Sequence, residues 1–315
     1  MMKIGYLGPV GTYSHRAAVW LLSAFELHAA TLTPFPSILD LLDGLDQHEI
    51  HAAVAPLENS IEGSVLVTLD RLRLGEMTIN AELTIPIRHG VFTLPGVDPS
   101  EIRVVRSHPQ ALAQCRNTLR RLFPSARHED ADSTAGALHS VAQERNRTLA
   151  AVGSFEAGRD LPLVRVVEDA QDHPYNETRF ALLTRRATEF QEDGFASVGE
   201  ASAALPRFSY AGISRTPVYK KTSILLELGD DHPGALFEVL RVLARDGINL
   251  SKLESRPSRR GLGSYHFFLD LLLQDEPSVV DQALAEIATL TGFVLHHVGS
   301  YPCFREDADE TASQK

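Results

Sequence analysis

Short apolar runs alternate with amphipathic segments from residue 3 to about residue 185. The first run is "KIGYL", followed by helix-periodic positions near 14–25 and 36–46 and then by the strand-like "AAVAPL". Later runs read "MTINAELTIPIRHGVFTL", "IRVVRS", "LAAVGS", "LVRVVED" and "RFALLTRR". Such alternation predicts a mostly parallel α/β sheet. The first of these later runs is long and the last returns late in the chain, which predicts two α/β lobes, within residues 1–185, joined by two crossing segments with a cleft between them.

Residues 186–219 mix Gly, Ser, Ala, Pro and acids with little periodicity, and read as a linker between folding units. From 220 the pattern changes to strand "TSILLEL", turn "GDDHPG", helix "ALFEVLRVLARDG", strand "INLSKLESRP", hairpin "RRGLGS", strand "YHFFLDLLL", helix "PSVVDQALAEIATL" and strand "VLHHVGSYP". This βαββαβ order over 220–304 predicts a ferredoxin-like unit. Its first helix has Pro233 in the opening turn, Leu236, Val239, Leu240 and Leu243 on one face, and Gly247 just past its end. The polar stretch 305–315 is expected to be a disordered tail.

A chain of 315 residues can bury two or three cores, and 43% hydrophobic with 23% charged residues is ordinary for a water-soluble globular protein. The net charge of -11, with no basic run longer than "RPSRR", excludes a nucleic-acid partner. A small anionic substrate stays compatible, because local fields outweigh net charge inside a cleft. Cys115 and Cys303 match no metal or redox spacing, and the histidines show no paired spacing for zinc, so free thiols and no metal are expected. The opening residues lack the apolar core of a signal peptide, and no run of about 18 apolar residues occurs, so the expectation is a cytoplasmic protein with no membrane partner.

Candidate chemistry sits at strand-to-helix junctions rich in Gly, Ser and Thr: "GPVGTYS", "SHPQ", "DSTAGA" and "GSFEAG". Helix N-termini expose unpaired N–H groups, so several converging on one cleft would bind an anion. This makes Thr12, Ser14, Ser133 and Thr134 candidate substrate contacts. "SHPQALAQC" has the form of a capping box at Ser107 and Gln110, and Gln114 extends it into a polar stripe one turn on. "PLENSIEGSV" puts Glu58, Asn59, Ser60 and Glu62 in a predicted turn before a helix. No P-loop, dinucleotide fingerprint or nucleophile elbow is present, so no cofactor is implied.

In this order, "GPVGTYSHRAA", "PLENSIEGSV", "SHPQALAQC", "DSTAGA", "NETRF", "GALFEVL" and "INLSKLESRP" resemble the prephenate dehydratase family in its monofunctional bacterial form with a C-terminal ACT domain. The resemblance runs from about Lys3 to Phe304. It implies two periplasmic-binding-protein-like lobes with the substrate between them, followed by the ACT unit. It also implies that Thr178 is tied most closely to catalysis, with Asn59, Gln114 and Ser107 in the same site and Glu58 beside them. For the regulatory unit it implies that L-phenylalanine binds at an interface between the ACT domains of a homodimer or homotetramer, through Gly234, Ala235, Leu236, Asn249, Leu250, Glu254 and Ser255. The chain departs from the family at Tyr13, Asp132, His173 and Pro174.

The implied reaction converts prephenate to phenylpyruvate, and ring aromatisation drives it without a cofactor. The site must then donate to the departing hydroxyl and hold two carboxylates, which assigns Thr178 as a neutral donor. Arg179, on the opposite face of the strand, suits either a carboxylate clamp or a lobe-to-lobe ion pair. Two rival readings remain: an arogenate dehydratase, which performs the same elimination on the amino analogue, and a non-catalytic amino-acid sensor.

Overall fold

The computed structural model describes residues 1–186, 214–228, 232–258, 265–273, 277–290 and 293–306. Most of the expected linker (187–213), most of the expected tail (307–315), part of the "GDDHPG" turn and the "RRGLGS" hairpin tip lie outside the described residues.

The first lobe contains strands β1 (Lys3–Leu7), β2 (Thr31–Phe35), β3 (Ala52–Asn59), β4 (Gly63–Ser64), β5 (Met77–Pro86) and β11 (Glu177–Arg185), with helices α1 (Tyr13–Ala24), α2 (Ile38–Asp46) and α3 (Leu66–Leu72). The second lobe contains β6 (Gly90–Thr93), β7 (Val104–Ser107), β8 (Arg127–Asp130), β9 (Leu149–Gly153) and β10 (Val164–Val167), with α4 (Pro109–Gln114), α5 (Arg116–Leu122), α6 (Thr134–Glu144) and α7 (Phe155–Arg159). The long run from Met77 thus breaks between β5 and β6, and the chain crosses lobes there and again between β10 and β11. The βαβ strands pair in parallel, β2 and β3 on β1, β8 and β9 on β7. The crossing strands run antiparallel, β11 to both β3 and β5, and β6 to both β9 and β10. The mostly parallel expectation is corrected to this mixed arrangement, because a chain that leaves a sheet and returns re-enters it from the opposite end.

The C-terminal unit is β12 (Tyr219–Leu228), α8 (Ala235–Arg245), β13 (Leu250–Pro257), β14 (Tyr265–Leu273), α9 (Pro277–Thr289) and β15 (Phe293–Arg305), the expected βαββαβ. Ile224, Leu226, Val239, Leu243, Leu269 and Leu271 form the core between its sheet and its two helices. Its other face, through Leu225, Phe268, Val298 and Tyr301, continues the core of the first lobe around Leu57, Leu72 and Ile79. The last residues of β15 pair in parallel with β5, Cys303 with Glu82 and Arg305 with Thr84, so among the described residues one ten-stranded sheet runs through both units.

That pairing corrects the tail boundary: Arg305 closes a strand, and Glu306 is buried, its carboxylate 2.8 Å from Arg16 Nε. Cys115 and Cys303 are free and buried in separate cores. Burial pushes the Cys115 thiol up to about 12 and raises that of Cys303 as well, which suits packing rather than reactivity.

Candidate active site

The cleft between the lobes has a volume of about 290 Å³ and takes Thr12, Asn59 and Thr178 from one wall, and His89, Gln114 and Ser133 from the other. Among the described residues none of its lining is an arginine or lysine. A larger cavity of about 390 Å³ runs along α1 and α7; it shares Thr12 with the cleft but not Asn59, His89, Gln114 or Thr178.

Thr178 and Asn59 sit opposite each other on β11 and β3. Asn59 Oδ1 accepts the backbone N–H groups of Ile61 at 3.0 Å and Glu62 at 3.1 Å, which fixes its amide. Its Nδ2 then donates to Thr178 Oγ1 at 2.9 Å and to Asn176 Oδ1 at 2.8 Å. Because Asn59 supplies a donor, the Thr178 oxygen is an acceptor on that side and its own proton is left to turn into the cleft. A hydroxyl that already accepts a hydrogen bond is also the stronger donor.

The network continues across the cleft. Asn176, 1% exposed, donates to Gln114 Oε1 at 2.9 Å, and His89 Nε2 approaches the same oxygen at 3.1 Å. Burial lowers the His89 pKa, with the Gln114 contact a weaker opposing effect, so the ring is neutral and donates from Nε2. Tyr13 packs edge-on against it, its ring centroid 6.1 Å away, and donates from its hydroxyl to the Arg88 carbonyl. Gln114 Oε1 thus receives two donors, and its NH2 group makes no hydrogen bond among the described residues.

Three helix N-termini border the cleft, those of α1 at Thr12, α4 at His108 and α6 at Ser133. Thr12 caps α1 by accepting the His15 N–H at 3.2 Å, and Ser133 caps α6 by accepting the Gly136 N–H at 2.9 Å. Thr134 and the exposed Asp132 line the cleft beside Ser133. The fourth junction, at Ser154, caps α7 and lies outside the cleft wall.

Four expected contacts are corrected. Ser107 is fully buried at the end of β7, its hydroxyl donating to the Val152 carbonyl at 2.7 Å, and His108 caps α4 in its place. Ser14 is buried within α1 and absent from the cleft wall. Glu58 lies in β3, not in a turn, and period-two alternation turns its side chain away from Asn59. The same alternation turns Arg179 away from Thr178, and Arg179 Nη1 donates to Glu58 Oε2 at 2.6 Å on that far side. Arg179 is therefore an ion-pairing residue and not a carboxylate clamp.

Asn176 and His89 are the participants that sequence reasoning missed. Asn176 had a signal, since it stands two residues before Thr178 and so shares its strand face. His89 lies in the crossing between β5 and β6, where no periodicity marks a site.

In the C-terminal unit, Gly234 opens α8 with φ at 94°, Ala235 is buried beneath it, and Leu236 follows on the helix. Leu250 begins β13 and packs with the helices, while Asn249 is exposed just before it and Ser255 is exposed further along the strand. Glu254 departs from the expectation: it faces the first lobe, accepting from Ser64 Oγ at 2.8 Å, because it alternates with Ser255. Among the described residues no cluster of three or more His, Cys, Asp or Glu could hold a metal, and no helix is long and apolar enough to cross a membrane.

The prephenate dehydratase family model matches residues 4–188, and the ACT domain model matches residues 222–289. The prephenate dehydratase of Methanocaldococcus jannaschii is 33% identical over 300 residues, covering 95% of this chain and 97% of the relative. That of Lactococcus lactis is 33% identical over 305 residues, covering 96% and 98%. Among solved structures, the prephenate dehydratase of Arthrobacter aurescens in complex with L-Phe superposes with a TM-score of 0.76 at 31% identity, covering 96% of this chain and 90% of that one.

Proposed function

The chain belongs to the prephenate dehydratase family, and we propose from that premise that Thr178, oriented by Asn59, donates to the hydroxyl that leaves prephenate. The enzyme removes carbon dioxide and water from prephenate to give phenylpyruvate. One bond breaks to the ring carboxylate, whose electron pair enters the ring; the opposite C–O bond breaks with Thr178 hydrogen-bonded to its oxygen, and the departing hydroxide takes a proton from solvent to leave as water. Both changes aromatise the ring, so the protein has only to guide charge.

The observation that carries this reading is the 2.9 Å contact from Asn59 Nδ2 to Thr178 Oγ1, which commits the threonine oxygen as acceptor and frees its proton for the substrate. A neutral donor placed where negative charge develops stabilises the transition state more than the ground state. The absence of arginine and lysine among the described lining residues fits the other half of the reaction. A cation paired with the leaving carboxylate would lose its partner as carbon dioxide forms, which would hold back the ground state. The Gln114 NH2 group and the N-termini at Thr12 and Ser133 hold the substrate instead, with Thr134 beside them.

L-phenylalanine regulates the enzyme through the C-terminal unit, a reading supported by the ACT match and by the ligand of the Arthrobacter relative. Gly234, Ala235, Leu236, Asn249, Leu250 and Ser255 are the proposed contacts, shared between chains of a homodimer or homotetramer. The unit of regulation is residues 220–304 and that of catalysis residues 1–185, and the proposed location is the cytoplasm. The test is to incubate purified protein with prephenate, and separately with arogenate, without added cofactor. Phenylpyruvate from prephenate, at a rate exceeding phenylalanine from arogenate, is expected; no keto acid from prephenate would overturn the reading.

A further inference from the structure

On the face of β3, β5 and β11 away from the cleft, a set of charges is closed in against the C-terminal unit. Arg179 Nη2 donates to Asp270 Oδ2 at 2.7 Å and also to Glu82, in addition to its Glu58 contact. Lys221 Nζ lies 3.0 Å and 3.2 Å from the two Glu82 oxygens, and Ser223 Oγ donates to Asp270 Oδ1 at 2.6 Å. Glu82 is fully buried and Lys221 is 2% exposed. Burial acts to depress the Arg179 pKa and to raise that of Asp270, but Glu82 and Asp270 hold the guanidinium above its ordinary value, and Arg179 and Lys221 hold the Asp270 carboxyl below its own. Both groups are therefore charged.

Stability alone does not account for this cluster, because replacing buried ions by apolar side chains of similar size is often neutral or stabilising. Its location suggests a different task. Arg179 is the residue after Thr178, and the pairing of β11 with β3 shifts register between Arg179 and Phe180. The extra residue, Leu57, is on β3, so the ladder on that side of β11 is interrupted while the one to β5 continues, and side-chain contacts add to what sets the local geometry.

We propose that Asp270 and Lys221 are positioning residues for the dehydration: side chains of the C-terminal unit that hold Arg179 and Glu82, and through them the end of β11, opposite the bulge in β3, that aims Thr178. The inference rests on the role given to Thr178 above. It also supplies a route for regulation, since an effector that shifts β14 moves Asp270, a partner of Arg179, and one that shifts β12 moves Lys221, which holds Glu82.

The test uses the full-length protein. Asp270→Asn keeps the shape and removes the charge. Its kcat is expected to fall about ten- to a hundredfold, the scale of a small misplacement of a reacting group, with KM changed far less. Asp270→Glu should recover part of the loss. In a Thr178→Val background, Asp270→Asn should cost nothing more, because there is no hydroxyl left to aim. Hydrogen exchange across residues 177–185 should quicken in Asp270→Asn whatever the activity. Ser223→Ala, which leaves every charge paired, should act in the same direction more weakly and guards against a variant that fails to fold. The proposal is overturned by a folded Asp270→Asn protein with wild-type kcat and unchanged exchange over 177–185, or by losses that simply add in the double variant. Full activity in Thr178→Val alone would instead bring down the functional reading, and the exchange measurement would still decide whether Asp270 holds β11.

Discussion

A threonine hydroxyl is too weak an acid to lose its proton unaided, so Thr178 depends on how its proton is pointed. Thr178→Val keeps the shape and deletes the donor, and turnover is expected to fall by roughly 10²- to 10⁴-fold. Substrate binding should change less, because the contact strengthens only as charge develops; steady-state kinetics on prephenate separate the two. His89 gives a pH signature at the same scale. Its folded pKa lies below the ordinary 6.5, so as pH falls through 6.5 the unfolded chain takes up a proton that the folded chain refuses. Stability is retained above that value and lost on acidification, at most about 1.4 kcal/mol per pH unit for one proton. His89→Gln, which keeps a donor near Gln114, should flatten the decline in denaturation midpoint as pH falls below 6.5; an unchanged slope would remove His89 as its source.

At the scale of elements, β15 meets β5 without room for a side chain at the crossing. A Cβ on Gly299 would stand 2.3 Å from the Ile79 carbonyl oxygen, so Gly299→Ala must push the strands apart. A loss of about 1–3 kcal/mol is expected from such overpacking, read as a lowered thermal midpoint. An unchanged midpoint would mean that the two units are not joined at this point. The period-two and helical patterns made nearly every strand and the first helix of the C-terminal unit legible in the sequence, because each pattern is local. The union of two sheets through β15 was not legible, since it depends on pairing Cys303 with Glu82 across more than half the chain. The site shows the same division. Thr178, Asn59 and Gln114 stood out within motifs, but alternation along β3 and β11 decided that Glu58 and Arg179 face away. The ion partners of Arg179 come from β3, β5 and β14, and no spacing brings those strands together.

For the whole molecule, the geometry of the C-terminal unit bears on how an effector could be held. Gly234 lies at one end of α8 and Asn249 comes four residues after its other end, with the helix of 11 residues, about 16 Å long, between them. One amino acid cannot bridge that length within one chain, so the proposed contacts belong to one pocket only if a second copy brings its own end alongside. Gly234 is a poor probe of that pocket, because its φ of 94° would strain any replacement. Asn249 is a better one: the residue is exposed, and among the described residues only its backbone carbonyl is engaged, accepting from Leu272 N–H at 2.9 Å. Asn249→Ala should therefore shift stability by no more than about 0.5 kcal/mol. If Asn249 touches L-phenylalanine through a hydrogen bond to the charged ligand, its loss should raise the concentration for half-inhibition roughly tenfold, the equivalent of about 1.4 kcal/mol. Calorimetry of the full chain should report the same factor in affinity, and sedimentation should find L-phenylalanine bound to the associated form. Unaltered inhibition in a folded Asn249→Ala protein, or tight binding by a monomer, would contradict a pocket shared between subunits.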